Sequence, residues 1–193
     1  MLNQFHEGMV MKLYSENRYS RVMVFIDYRN IIDASITNNK YVNLDLLSLT
    51  KMLVGSRELI GAYIFDGCMS TPSSETRNHY EKLRLQGFRV VVRDSVERLE
   101  GGIKPVQKEV DVALACELLE HAMMNHYDVA IVVSGDRDFV PAMQKVQAAG
   151  KRVEVASFSG TYSPQSKNTA DVYYELDGMP IMSMCTMGDN DAY

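Results

Sequence analysis

From position 21 the chain alternates between short runs of β-branched and apolar residues and longer stretches with helical spacing. RVMVFID (21–27) is a β-branched run closed by an acid, the pattern of a strand buried on both faces. After the polar YRN, IIDASI suits a short helix. A second helix is expected from an Asn43 cap to Val54, stopped at Gly55. GAYIFD (61–66) reads as the second strand. A helix capped by Ser73 or Ser74 follows to Gln86, with Gly87 as its stop, then FRVVVRD (88–94) as the third strand. Gly101, Gly102 and Pro105 mark 95–105 as a loop or small excursion. The strongest helical signal covers 107–125, where Val110, Leu114 and Leu118 share a face with Ala115, Leu119 and Ala122. DVAIVVS (128–134) is the fourth strand, 139–149 a helix stopped at Gly150, and RVEVAS (152–157) the fifth strand. Five strands alternating with helices imply a parallel sheet covered on both faces. The segment from Ser159 is polar, with a short helix expected near 169–176. Residues 1–20 read as an arm or peripheral helix, 21–176 as one domain, and 177–193 as a tail.

The 193 residues suffice for one domain, and 46% apolar content supplies a core. The 25 acidic side chains outnumber the 20 basic ones, for a formal charge of −5. That balance argues against a protein that coats duplex DNA with a broad positive field. A nuclease stays compatible, because divalent cations on a carboxylate cluster reverse the local sign. Cys68, Cys116 and Cys185 form no CxxC and leave one thiol unpaired, so neither a disulfide scaffold nor a zinc site is expected. His121 and His126 stand five apart, off the i, i+4 spacing of helical ligands. No apolar run approaches the ~18 residues of a membrane span, and the first twenty residues lack the apolar block of a signal peptide. The expected location is the cytoplasm, and a homodimer is left open. The thirteen methionines, Met123 and Met124 among them, read as core fillers.

In an open parallel sheet, sites form beyond the carboxyl ends of the strands. Strand one ends in Asp27, and strand four ends in SGDRD, which supplies Asp136 and Asp138; strands two and three end in Asp66 and Asp94. Hard oxygen donors gathered at one edge suit Mg²⁺ or Mn²⁺. Asp111 lies on the apolar side of its helix, since its i+3, i+4 and i+7 neighbours are Leu114, Ala115 and Leu118. A carboxylate there is costly unless paired or metal-bound. The plainer account makes it a first-turn acid held by the helix dipole and Lys108. Asp138 can equally be a helix cap, Asp66 and Asp94 ordinary loop acids, and Asp128 a turn residue at the opposite edge. Asn30 can cap its helix or hold a phosphate. Arg137 either balances its two flanking acids or contacts phosphate.

Four segments together resemble the NYN domain of the PIN-like nucleases, in its LabA-like branch. They are FIDYRN (25–30), QKEVDVALACELL (107–119), YDVAIVVSGDRDFVP (127–141) and GKRVEVAS (150–157). The resemblance implies a three-layer α/β/α PIN-like (Rossmann-like) fold with a five-stranded parallel sheet in the order 3-2-1-4-5. Asp27, Asp111, Asp136 and Asp138 match the family's acids, and Asn30, Lys108 and Ser134 its flanking polar positions. The implied activity is hydrolysis of phosphodiesters in single-stranded RNA with bound Mg²⁺ or Mn²⁺. Lys108, Arg137 and Arg29 would contact phosphate, with Tyr28 as a stacking platform. Tyr28 and Arg29 depart from the small residue that many relatives carry after the first acid. Two alternatives stand beside this: a non-catalytic RNA-binding or regulatory module, and a metal-dependent phosphatase acting on nucleotides.

Overall fold

The computed structural model describes residues 20–39, 43–68, 71–94, 96–99, 102–105, 108–178 and 185–186. The readings made of the first nineteen residues and of the tail at 179–184 and 187–193 lie outside them. Six parallel strands form one sheet: β1 (Arg21–Asp27), β2 (Glu58–Cys68), β3 (Arg89–Asp94), β4 (Val129–Val133), β5 (Arg152–Ser157) and β6 (Val172–Glu175). Their order across the sheet is 3-2-1-4-5-6. β1 and β4 are central neighbours, with Ile26 opposite Val133. Both are apolar on each face because helices cover each face.

The side-chain alternation of β1 divides the core in two. Val22, Val24 and Ile26 face the helices α1 (Tyr28–Asn39), α2 (Leu46–Val54) and α3 (Ser74–Leu85). Met23 and Phe25 face α4 (Lys108–Met123) and α5 (Val140–Ala148). On α4 the predicted stripe of Val110, Leu114 and Leu118 is buried, with Ala122 extending it. Met123 and Met124, expected as core fillers, are exposed at the end of that helix.

The sheet has six strands, one more than predicted, and the extra one replaces the helix expected at 169–176. A short helix, α6, does form, but earlier, at Pro164–Thr169. The VYYE segment after it carries β-branched and aromatic side chains that suit a pleated surface. It pairs in parallel with β5, from Glu154 opposite Val172 to Ser157 opposite Glu175. Asp171 fixes that register by accepting a hydrogen bond from the Val153 N–H at 2.7 Å. Tyr174 donates to Glu154, a buried acid that Arg57 also holds at 2.8 Å.

Two local expectations change. Helix α2 is capped by Asp45, which accepts from the N–H groups of Leu47 and Ser48, and not by Asn43. Asn43 instead pairs with Thr186 in a two-residue ladder. The excursion at 95–105 contains a small antiparallel hairpin, Val96–Leu99 against Gly102–Pro105. Among the described residues no helix is long and apolar enough to cross a membrane.

Candidate active site at the carboxyl ends of the central strands

Strand β1 runs straight into α1, which leaves Asp27 at the junction, only 4% exposed. Its carboxylate accepts from the Ser134 hydroxyl at 3.0 Å and, weakly, from the Asn30 N–H at 3.4 Å. Those bonds favour the charged form but do not win. Burial, the largest influence, raises the pKa to about 7, and the charges of Asp111 and Asp136 push the same way.

Strand β4 ends at Val133, and the following loop folds back on itself. Ser134 is buried; while donating to Asp27 it accepts from the Asp136 N–H at 3.1 Å. The Gly135 N–H donates to the side-chain oxygen of Asn30 at 2.9 Å. Asn30 therefore ties the helix after β1 to the loop after β4. Asp136 caps a single turn, Arg137–Phe139, by accepting from the Asp138 N–H at 2.9 Å. The capping role foreseen for Asp138 thus falls to Asp136. Asp138 has a side chain 69% exposed, with Arg137 3.9 Å away.

The fourth acid arrives from α4. Asp111 is half-buried in the first turn, and its pKa is raised to about 6, by burial first and then by Asp136 and Asp138. An acid stabilised chiefly by a helix dipole and a lysine would shift downward. The side chain of Lys108 lies outside the described residues, as does that of Asp94.

Asp66 belongs elsewhere. It is 3% exposed, accepts from the Tyr80 hydroxyl at 2.8 Å and faces Arg29 across 3.6 Å. Its pKa is raised by burial. Tyr28 points its hydroxyl at His79, 2.8 Å away, and packs against the core. The two residues that set this chain apart after Asp27 thus turn toward β2 and α3.

As donors, the acids suit a hard divalent cation. Asp27 and Asp111 both have their pKa values raised, which favours the protonated form, and a cation among them would reverse that bias. The cage is not preformed. Among the described residues no three His, Cys, Asp or Glu side chains converge closely enough to hold an ion. The acids feel one another's charge without meeting at one point, because Asp27 is engaged by Ser134 and Asp136 by its own turn.

Beside the acids opens a shallow cleft of about 330 Å³. Asn30, Gly135, Asp136 and Arg137 form one wall, and Gly160, Thr161, Tyr162 and Ser163 the other. The second wall escaped the sequence reading, which took the segment from Ser159 as polar and expected a helix only near 169–176. One signal for it was present. Ser163 before Pro164 is a helix start, and Ser163 does cap α6. Gly135 lies where the walls touch: a Cβ there would sit 2.3 Å from the Thr161 carbonyl oxygen. The Ser163 N–H donates to the Gly135 carbonyl at 2.8 Å and closes that contact.

The sequence profile of the NYN domain matches residues 21–177. The Low amplitude and bright protein LabA of Synechococcus elongatus is 23% identical over 163 residues, covering 83% of this chain and 86% of the relative. Among solved structures, a protein of unknown function from Vibrio parahaemolyticus superposes with a TM-score of 0.71 at 21% identity. That match covers 86% of this chain and 98% of the other, and it shows the shared α/β fold. With the profile spanning most of its length and a LabA protein among its relatives, the chain belongs to the NYN domain family.

Proposed function

We propose that this protein is a metal-dependent ribonuclease that cleaves phosphodiesters in single-stranded RNA. NYN domains are a PIN-like nuclease family whose members generally depend on divalent metals, which makes RNA the expected partner. The observation that carries the reading is the mutual electrostatic strain of Asp27 and Asp111, each raised by burial and by neighbouring acids. Buried acids pushed up by neighbouring acids beside a cleft are the pattern expected of a functional site.

Asp27, Asp111, Asp136 and Asp138 would hold Mg²⁺ or Mn²⁺, which when bound would supply Lewis acidity and an activated water. The remaining work falls to the chain itself. Ser134 orients Asp27 and the Asp136 backbone together, and Asn30 locks the loop that presents them. Arg137, with a side chain 71% exposed on the cleft wall, would contact a phosphate, and Lys108 would add a second positive charge. Arg29, half-exposed beside Asp66, can reach phosphate only by loosening that pair.

A second reading, an RNA-binding or regulatory NYN module that cuts nothing, draws on Asp136, whose carboxylate is committed to its own turn. Labelled single-stranded RNA with Mn²⁺ or EDTA separates the two. The nuclease reading expects cleavage with Mn²⁺ alone. It expects Asp111→Asn to lose that cleavage by about two orders of magnitude or more, with urea stability in EDTA unchanged or higher. RNA binding without cleavage by the wild type selects the second reading.

A further inference from the structure

The geometry points to a base-binding subsite on the second wall of the cleft, with Tyr162 as the surface on which one nucleobase of a single strand stacks. The inference rests on the proposal that nucleic acid enters this cleft, and it says what holds the strand there. A protein with a formal charge of −5 cannot gain much affinity from a long row of phosphate contacts. Stacking on an aromatic ring supplies affinity that is indifferent to net charge and tolerant of sequence.

Tyr162 is held in place rather than loose. Its neighbour Ser163 donates its N–H to Gly135, and the Tyr162 Cα would lie 2.9 Å from a Cβ at Gly135. Tyr173 on β6 stands behind it, with ring centroids 5.5 Å apart and planes tilted by 60°. The Tyr173 hydroxyl lies 2.9 Å from the Ser157 hydroxyl, which anchors that ring to β5. Lys167 on α6 bridges the pair, its ammonium 4.9 Å from the Tyr162 centroid and 4.6 Å from that of Tyr173. A ring fixed before binding loses little conformational entropy when a base lands on it.

The subsite adjoins the acids, because Tyr162, Asp136 and Arg137 line the same cleft. At about 330 Å³ the cleft sits at the small end of ligand sites, which suits a single nucleotide and not a duplex. Tyr28, the aromatic beside Asp27, is engaged by His79 and packed on the core, so Tyr162 takes the stacking role.

The test is fluorescence anisotropy in EDTA with a labelled eight-nucleotide oligouridylate and with the same backbone carrying abasic sites. The wild type should bind the base-bearing strand roughly tenfold more tightly. Tyr162→Phe should keep that preference, and Tyr162→Ala should lose it. Equal binding of both strands by the wild type, or an undiminished preference in Tyr162→Ala, overturns the subsite. If Tyr162→Ala does not fold, the wild-type comparison still decides. Cleavage of RNA in Mn²⁺ without a base preference removes the subsite and leaves the nuclease. A base preference without cleavage supports the subsite and removes the nuclease. Binding of neither strand overturns both.

Discussion

The two ends of strand β4 treat acids in opposite ways. At its start, Asp128 is paired: it accepts from the Arg21 N–H at 3.0 Å and from the Arg21 guanidinium at 2.8 Å, with Lys151 4.0 Å away. Its pKa is lowered, chiefly by the Arg21 hydrogen bond. Arg21 and Lys151 also reach Asn125, so the whole corner is cross-linked by charge. Past the far end of the same strand, Asp136 sits among acids, and Asp27 and Asp111 are pushed up. Charge is neutralised where the sheet only has to hold together, and accumulated where it opens on a cleft. A fold optimised for stability alone would have paired both ends.

The largest effects should come from breaking the accumulation. Asp27→Asn should abolish Mn²⁺-dependent RNA cleavage, by about two orders of magnitude or more, because the central acid is lost. A single-turnover assay at saturating Mn²⁺ checks it, and activity within threefold of wild type would make Asp27 structural. The same acid should govern the pH dependence of stability in EDTA. Folded Asp27 titrates near 7 against an ordinary value of 3.8, so between those values the folded chain keeps a proton that the unfolded chain has released. Stability should fall as pH rises through that window, by at most ~4 kcal/mol. Asp27→Asn should make the curve shallower and leave the part that Asp111 and Asp66, also raised, contribute. At the other end the sign reverses: Asp128, with its pKa lowered, stabilises above its ordinary pKa and loses that contribution in acid.

Most of this contrast could be read from sequence at the central strands and little of it beyond them. RVMVFID and DVAIVVS are apolar on both faces, so their burial, their parallel pairing and the chemistry at their ends follow from local pattern. Asp111 was legible because it interrupts an apolar stripe. The sixth strand was not, because VYYE beside helix-compatible residues has no period long enough to separate strand from helix, and its register is set by bonds to β5, from Asp171 to Val153 and from Tyr174 to Glu154, 18 and 20 positions away. The partners of Arg29 and Tyr28 lie on β2 and α3, 37 and 51 positions away, distances at which a sequence shows composition but not contact.

Packing at the two ends offers a smaller test. Gly135→Ala would force a methyl carbon to 2.3 Å from the Thr161 carbonyl oxygen, a backbone atom with little room to move. It should cost ~1–3 kcal/mol and part the cleft walls, so RNA cleavage should drop as well. Gly150, which ends α5 on the Asp128 side, has φ 77° and nothing within 4 Å of an added Cβ. Gly150→Ala should cost ~1 kcal/mol from its left-handed backbone alone and leave cleavage intact. Urea melts with parallel activity assays distinguish the pair, and equal activities would show that the walls do not need their close contact.

The smallest effect is the one that says whether the paired end matters. Asp128 and Arg21 have side chains 43% and 34% exposed, so water screens their attraction and the pair is worth little in isolation. Asp128→Asn keeps the shape and can still accept from the Arg21 N–H while losing the charge. It should cost ~0.5–1 kcal/mol in low salt, and most of that difference should vanish in 1 M NaCl, where the Debye length shrinks to ~3 Å. Cleavage should not change, since the residue lies at the opposite edge of the sheet from Asp27. A salt-insensitive loss would mean that hydrogen-bond geometry, not charge, holds this corner. A loss of cleavage would mean that the two ends of β4 are coupled through the strand, and the division between a neutralised end and a charged end would no longer be a division of labour.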